Sequence, residues 1–278
     1  MLAPSQLQAH LSHTFSTPFH RSSTAHESEQ VMVVVAFIKH VPGSEAFLET
    51  DGSSVHTSLT AYAIDDMDAY GVEAAIRLRE AGQAHHVVAI GIGPSIIEPS
   101  LRAALALGAD SAVLLETEEE LDPISQAHLL ADAVRSVEAQ LLFVGGTEAD
   151  WDSAALGPAV AEYLEWPVCN WVTSIALEGD RLVVRHDIDE GTELWQADLP
   201  AVLTTQQGLN EARFPSLPSI LKAKRKSIDR RPVVAVATVS TVGASLPTRK
   251  RAGVTLEGSP KEAASELLRR LRDDAKVL

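Results

Sequence analysis

A single cysteine, Cys169, stands in a chain of 278 residues, which excludes an internal disulfide and any thiolate metal cluster built by this chain alone. A reducing compartment suits such a chain. Basic residues are also scarce: 23 Lys and Arg against 38 Asp and Glu leave a formal charge of −15, so a general affinity for nucleic acid or an anionic membrane is disfavoured. Any anionic ligand has to be held locally. No apolar run approaches the roughly 18 residues of a membrane span, the longest being strand-like stretches such as residues 31–38, so no membrane insertion is expected. Familiar catalytic signatures are missing as well. There is no HExxH, Walker lysine loop, GxSxG elbow or clustered Cys/His pattern, and no catalytic acid, base, nucleophile or metal ligand is assigned. Most of the ten histidines lie in the first thirty residues or at isolated positions such as His40, His56 and His128. His85 and His86 adjoin at a strand start and point to opposite faces, against shared coordination. Trp151, Trp166, Trp171 and Trp195 suit packing or an interface rather than an electron wire.

What is present suits an α/β protein. With 45% hydrophobic residues the chain can bury a full-sized core, and its length fits one large domain or one domain with attachments. Residues 1–30 lack apolar periodicity and abound in Ser, Thr, His and Gln, so they read as a disordered lead-in. Within it Arg21 is the sole arginine, and Glu27 and Glu29 oppose a mitochondrial transit peptide. From Val31 short apolar runs alternate with amphipathic stretches, the order of a doubly wound, mostly parallel sheet. Strands are predicted over 31–38, 86–91, 111–115, 141–145 and 200–205, with helices between. Met67, Tyr70, Ala74, Ala75 and Leu78 share one helical face, and Leu101, Ala104 and Leu105 another. Asp122-Pro123 reads as a cap followed by a third apolar stripe through Ala127, Leu130 and Val134. Residues 173–177 and 181–185 flank Glu178-Gly179-Asp180, a hairpin signal that adds an antiparallel extension. After residue 231 the chain changes character, with an interrupted apolar stretch, the basic connector Leu246-Pro-Thr-Arg-Lys-Arg251, and a last amphipathic helix opened by Ser259-Pro260. That end reads either as a fold-back or as an arm that grips a partner.

Two segments invite a functional reading. In Leu209-Asn-Glu-Ala-Arg-Phe-Pro-Ser-Leu-Pro218 two prolines break regular structure and leave Leu209, Phe214 and Leu217 on a loop, as a preorganised recognition surface would. A loop tucked onto its own core is the alternative. Residues 142–157 run from a strand into a helix, where open α/β sheets place ligands. Gly145 and Gly146 would let a ligand approach the backbone, and Asp152 or Ser153 would cap a helix starting near Ala154 whose free amides hold a phosphate. Strand, turn, glycine and helix recur throughout α/β proteins, so a purely structural connection stands beside that reading.

Several stretches in the right order resemble the electron transfer flavoprotein β subunit family. They are Ile38-Lys-His-Val-Pro42, Val72-Glu-Ala-Ala-Ile-Arg-Leu78, Leu101-Arg-Ala-Ala-Leu-Ala-Leu-Gly-Ala-Asp110, the loop from Gly145 to Leu156, the segment from Leu209 and Arg251-Ala-Gly-Val254. The likeness implies a Rossmann-like, adenine-nucleotide-binding fold over 31–231, with a docking loop at 209–218 and a partner-gripping arm over 232–278. It implies an AMP site formed by Phe37, Asp65, Asp66, Met67, Asp68, Ile92, Gly145, Gly146, Thr147, Glu148, Ala149, Asp150, Trp151, Asp152, Ser153, Ala154, Ala155 and Leu156. Ala154, Ala155 and Leu156 depart from the polar side chains of many relatives, and Asp65 replaces a frequent asparagine. Asp65 and Asp66 read equally well as an acidic pair favoured by a helix dipole. The likeness further implies an α subunit partner, an FAD held mainly by that subunit, and dehydrogenase docking by Leu209, Arg213, Phe214 and Leu217. Electrons would pass from acyl-CoA or other flavin dehydrogenases to a quinone reductase, as in fatty acid oxidation, in the cytoplasm or, for a eukaryotic source, the mitochondrial matrix. A bifurcating relative with a second FAD, a free-standing nucleotide-binding protein of the universal-stress type, and an ATP-using synthetase remain alternatives. The last would need a Ser-Gly-Gly-x-Asp-Ser loop after the first strand, where Ile38-Lys-His-Val-Pro42 stands instead.

Overall fold

The computed structural model describes residues 32–58, 62–247 and 253–278; the lead-in 1–30 and residues 248–251 of the basic connector lie outside them. The first apolar run forms β1 (Val33–Phe37). Four short strands follow: β2 (His40–Pro42), β3 (Glu49–Thr50), β4 (Val55–His56) and β5 (Tyr62–Ile64), with β2 paired to β5 and β3 to β4. Then α1 (Asp66–Glu80), β6 (His86–Gly93), α2 (Glu98–Leu107), β7 (Ser111–Glu116), α3 (Pro123–Ser136), β8 (Leu141–Gly145) and α4 (Leu156–Leu164) alternate as the periodicity predicts. Beyond them lie β9 (Val168–Glu178), β10 (Arg181–Ile188), β11 (Gly191–Asp198), β12 (Ala201–Thr205), α5 (Leu217–Ala223), β13 (Asp229–Pro232) and α6 (Pro260–Arg269).

Nine of the strands form one sheet in the order β11-β10-β9-β12-β8-β1-β6-β7-β13. From β9 to β13 every pairing is parallel, whereas β9, β10 and β11 form an antiparallel meander at one edge. The central strands are buried on both faces, which is why they read as continuous apolar runs rather than alternating ones. One face is covered by α1 and α2, through Val72, Ile76, Leu101 and Leu105, and the other by α3 and α4, through Leu130, Val134, Leu156 and Val160. Each of these side chains contributes about 1.5–3 kcal/mol by leaving water. Local capping agrees with packing: Asp122 accepts from the amides of Ile124 and Ser125 at the start of α3, and Gly108 ends α2 at φ 141°.

Two features position the functional segments. The sheet order places β1 and β8 side by side, so the loops leaving their carboxyl ends meet above α1. β12 neighbours β8 and runs straight into residues 206–216, which brings the predicted docking segment to the same end. At the carboxyl end Asp122 also receives hydrogen bonds from the amides of Thr238 and Val239 at 2.7 and 3.1 Å, tying the segment after β13 to α3. Val234 and Val242 are fully exposed there, and α6 buries none of its residues, its Leu267 and Leu268 being about half exposed.

Candidate functional site

Two aspartates one helical turn apart join the loops at the top of the sheet. Asp65 caps α1 by accepting from the Met67 amide at 2.9 Å, and its other oxygen accepts from the Ala149 amide at 2.8 Å. Asp68 accepts from the amides of Lys39 and Gly145, each at 2.8 Å. Lys39, itself buried, reaches Asp150 at 2.6 Å. Burial pushes the Asp68 carboxyl well above the usual carboxylate range, and the nearby Asp65 adds to the effect. Asp65 is also raised by burial, against the opposing hydrogen bonds from Ala149 and Met67. All four oxygens of the two aspartates are therefore engaged by this chain's own amides. The acidic residues expected to face a ligand fasten the loop to α1.

The glycines of the loop carry a related correction. At Gly145 a Cβ would lie 2.9 Å from Asp68 Oδ1 and 3.1 Å from Met67 Cβ. At Gly146 it would lie 2.7 Å from the Thr205 carbonyl and 3.1 Å from the Trp171 ring. Both glycines serve the approach of protein to protein, where a ligand was expected.

The start of α4 differs most from the sequence reading. The helix begins at Leu156, and neither Asp152 nor Ser153 caps it; Ala155 holds the cap position with no side-chain bond. The anion at this terminus is Glu148. Its Oε2 accepts from the Ser153 amide at 3.0 Å, the Ser153 hydroxyl at 3.1 Å and the Ala154 amide at 3.3 Å, while Oε1 accepts from the Leu156 amide at 3.4 Å. Asp152 and Ala154 adopt left-handed backbone conformations, φ 47° and 53°, as the chain curls round that carboxylate. Amides expected to be free for a phosphate are bonded to a side chain.

The remaining expected ligand residues separate into two groups. Asp65, Asp66, Met67, Thr147, Glu148, Ala149 and Asp152 line an open cavity of about 360 Å³ together with Val41, Pro42 and Ile64. Phe37 and Leu156 do not join it: both side chains are buried in the core against α3 and α4, and Ile92 packs partly buried on that core. Trp151 is half-buried and Ser153 exposed, while Ala155 donates its amide to the Ser153 hydroxyl at 3.2 Å. Sequence reading missed the part played by Lys39, whose signal was a cation directly after a continuous apolar strand.

The docking segment is half tucked in and half presented. Leu209, expected on the recognition surface, packs partly buried on the core, and Asn210 donates to the Tyr70 carbonyl at 2.9 Å. Arg213, also expected to face a partner, instead binds α1: it donates to Glu73 at 2.7 Å and to Glu80 at 2.6 Å. Burial pushes Glu73 up, but hydrogen bonds from Arg213 and Arg77 outweigh it and hold the carboxyl below its usual value. Phe214 and Leu217 remain 96% and 70% exposed, beside an apolar groove lined by Ile96, Pro99, Ala103, Pro215 and Ile220. Leu217 to Ala223 form α5, the basic residues Lys224 to Lys226 follow it as a turn, and Arg102 ties the end of α5 to α2 through the Ala223 carbonyl at 2.9 Å.

Such an arrangement defines a class: an open, doubly wound α/β protein with its candidate site at the strand carboxyl ends and a clamped, apolar-tipped loop beside it. Residues 55–236 match the electron transfer flavoprotein domain family. The chain is 31% identical to the electron transfer flavoprotein subunit beta of Bacillus subtilis over 258 residues, covering 89% of this chain and 100% of that protein. It is 32% identical to the human subunit beta over 219 residues, covering 76% of this chain and 86% of the relative, and 33% identical to the mouse subunit over the same shares. The chain belongs to the electron transfer flavoprotein β subunit family. Among the described residues no helix is long and apolar enough to cross a membrane, and no group of His, Cys, Asp and Glu is arranged to hold a metal ion.

Proposed function

We propose that this chain is the β half of a two-subunit electron carrier. It pairs with an α subunit, encloses part of an FAD held mainly by that subunit, and passes electrons from acyl-CoA and other flavin dehydrogenases towards a quinone reductase. One observation beyond family membership carries this reading: Phe214, on the loop that Arg213 ties to α1, and Leu217, the first residue of α5, are both exposed. A preorganised apolar tip loses little entropy on docking, which suits a carrier that meets several dehydrogenases in turn. The bound flavin supplies the redox chemistry. This chain supplies burial, orientation and the docking surface, and none of its side chains is given a catalytic role. The exposed apolar side chains of α6 and the segment before it fit an arm that closes on the α subunit.

The AMP that family resemblance implies does not fit this site. Its phosphate would need the amides at the start of α4, and these are bonded to Glu148. A second FAD in the same loop, as in a bifurcating carrier, meets the same obstacle. A free-standing nucleotide-binding protein would have no use for the bare loop tip or the arm.

The test is expression with and without a candidate α subunit. Together the two chains should copurify with one flavin per pair, while the single chain binds little flavin and self-associates. A monodisperse, flavin-loaded single chain on size exclusion would overturn the assignment.

A further inference from the structure

Glu148 is the acidic side chain of residues 145–156 that is nearly lost to solvent, at 2% exposure, whereas Asp150 and Asp152 are exposed. A carboxylate leaves water only where donors replace it. Here the replacements are the amides of Ser153, Ala154 and Leu156 and the Ser153 hydroxyl. Three separate requirements meet at this one group. The first turn of α4 needs acceptors and favours negative charge. Non-glycine residues in left-handed conformations, Asp152 and Ala154, persist only where the surroundings enforce them. The resulting ring of amides is a concavity of the kind that binds anions. A phosphate oxygen and a carboxylate oxygen ask for the same donors at the same distances, so both cannot hold them together.

We propose that Glu148 is a built-in anion occupying the phosphate seat of loop 145–156, so that the folded chain closes this loop on its own side chain and takes no nucleotide phosphate there. The proposal rests on the family reading only for the expectation of a nucleotide at this loop. Packing supports a permanently closed loop: Gly157 lies so close to Thr204 that a Cβ would meet its methyl at 2.3 Å, and Gly146 donates to the Thr205 carbonyl at 2.7 Å, so both ends of the loop are fixed to β12. The seat is shaped for one anion, and the sequence carries it six residues before the amide of Ala154 that it binds.

The experiment uses the full chain copurified with its α subunit. Acid extraction of the wild-type complex should release flavin but no AMP, and millimolar inorganic phosphate or AMP should leave its melting temperature unmoved. Glu148→Ala leaves the ring of amides without an acceptor and should lower the melting temperature by roughly 3–10 °C. Inorganic phosphate, and separately AMP, should restore a good part of that loss as added ligand fills the seat. Glu148→Gln keeps the volume but not the charge, and should melt between the two with no phosphate response. One AMP per wild-type complex would overturn the proposal, as would a Glu148→Ala complex that melts like wild type or ignores both anions. If Glu148→Ala does not fold, wild-type extraction and the wild-type response to phosphate still decide the matter. Absence of flavin, by contrast, would count against the proposed electron carrier and not against the filled seat, which is read by AMP content and melting alone.

Discussion

Arg213→Ala separates a docking residue from a clamp. The guanidinium spans Glu73, whose side chain is 3% exposed, and Glu80, which is 50% exposed. The Glu80 bond lies in solvent and contributes about 0–1 kcal/mol. Charged hydrogen bonds to a buried carboxylate reach about 1.5–3 kcal/mol, but Arg213 is about a third exposed and Arg77 still donates to Glu73 at 2.5 Å, so the upper part of that range does not apply. A total loss of about 1–2 kcal/mol follows, or a melting temperature lower by roughly 2–8 °C for a chain of this size. The dehydrogenase half-saturation should rise as well, because residues 206–216 regain freedom that docking must remove. Glu73→Gln combined with Arg213→Ala in a double-mutant cycle should show coupling near 1 kcal/mol. The contribution has a pH signature. Glu73 is held below its ordinary value of 4.5, so the clamp is complete above that pH and is lost as the pH falls through the lower, folded value. An Arg213→Ala complex with wild-type melting but impaired docking would show that Arg213 meets the partner after all, and the clamp would be refuted.

Leu217→Ala should leave melting within about 0.5 kcal/mol of wild type, because the side chain is 70% exposed, and should raise the half-saturation for a partner dehydrogenase roughly 5- to 30-fold with dithionite reduction of the flavin unchanged. Unaltered kinetics with every dehydrogenase tried would make the loop a plain connection. Gly146→Val should destabilise the complex by about 1–3 kcal/mol, since its Cβ would press on the Thr205 carbonyl and the Trp171 ring. A variant of normal stability that has changed only its ligand content would return Gly146 to a ligand-facing role.

Periodicity made the architecture legible: α2 and α3 follow their apolar stripes and the doubly buried strands read as unbroken apolar runs, while in α1 Ala74, Ala75 and Leu78 of the stripe are buried together with Val72 and Ile76 rather than with Met67 and Tyr70. β13 escaped notice because Asp229-Arg230-Arg231-Pro232 has no apolar face to betray it; its arginines pair with Glu98, Glu116 and Asp229 instead. β11 was equally silent, a mostly exposed edge strand with no buried row. The candidate site was legible as a place, while the hydrogen bonds that its acidic residues make within the chain were not. Acidic residues before a helix look the same in sequence whether they greet a ligand or bind their own loop. That difference is decided by whether Asp65, Asp68 and Glu148 find amides within about 3 Å, and the amides come from Lys39, Gly145, Ala149 and the 153–156 turn. In the docking segment the exposure of Phe214 and Leu217 was legible from composition alone. The contacts of Leu209 and Arg213 were not legible, because their partners lie in the core and on α1, far away in sequence.

The ninth strand has a consequence for how this protein meets others. An open sheet exposes two rows of unpaired backbone groups, and each invites another chain to add as a further strand. At one border β13 is only four residues long, is charged along most of its length and ends in Pro232, which has no amide to offer. At the other, β11 carries Glu193 and Asp198, within a chain whose acidic excess already repels its own copies. Among the described residues β13 is therefore a poor template for strand addition, whereas β11, eight residues long with Leu194 67% exposed, relies on its charges alone to discourage it.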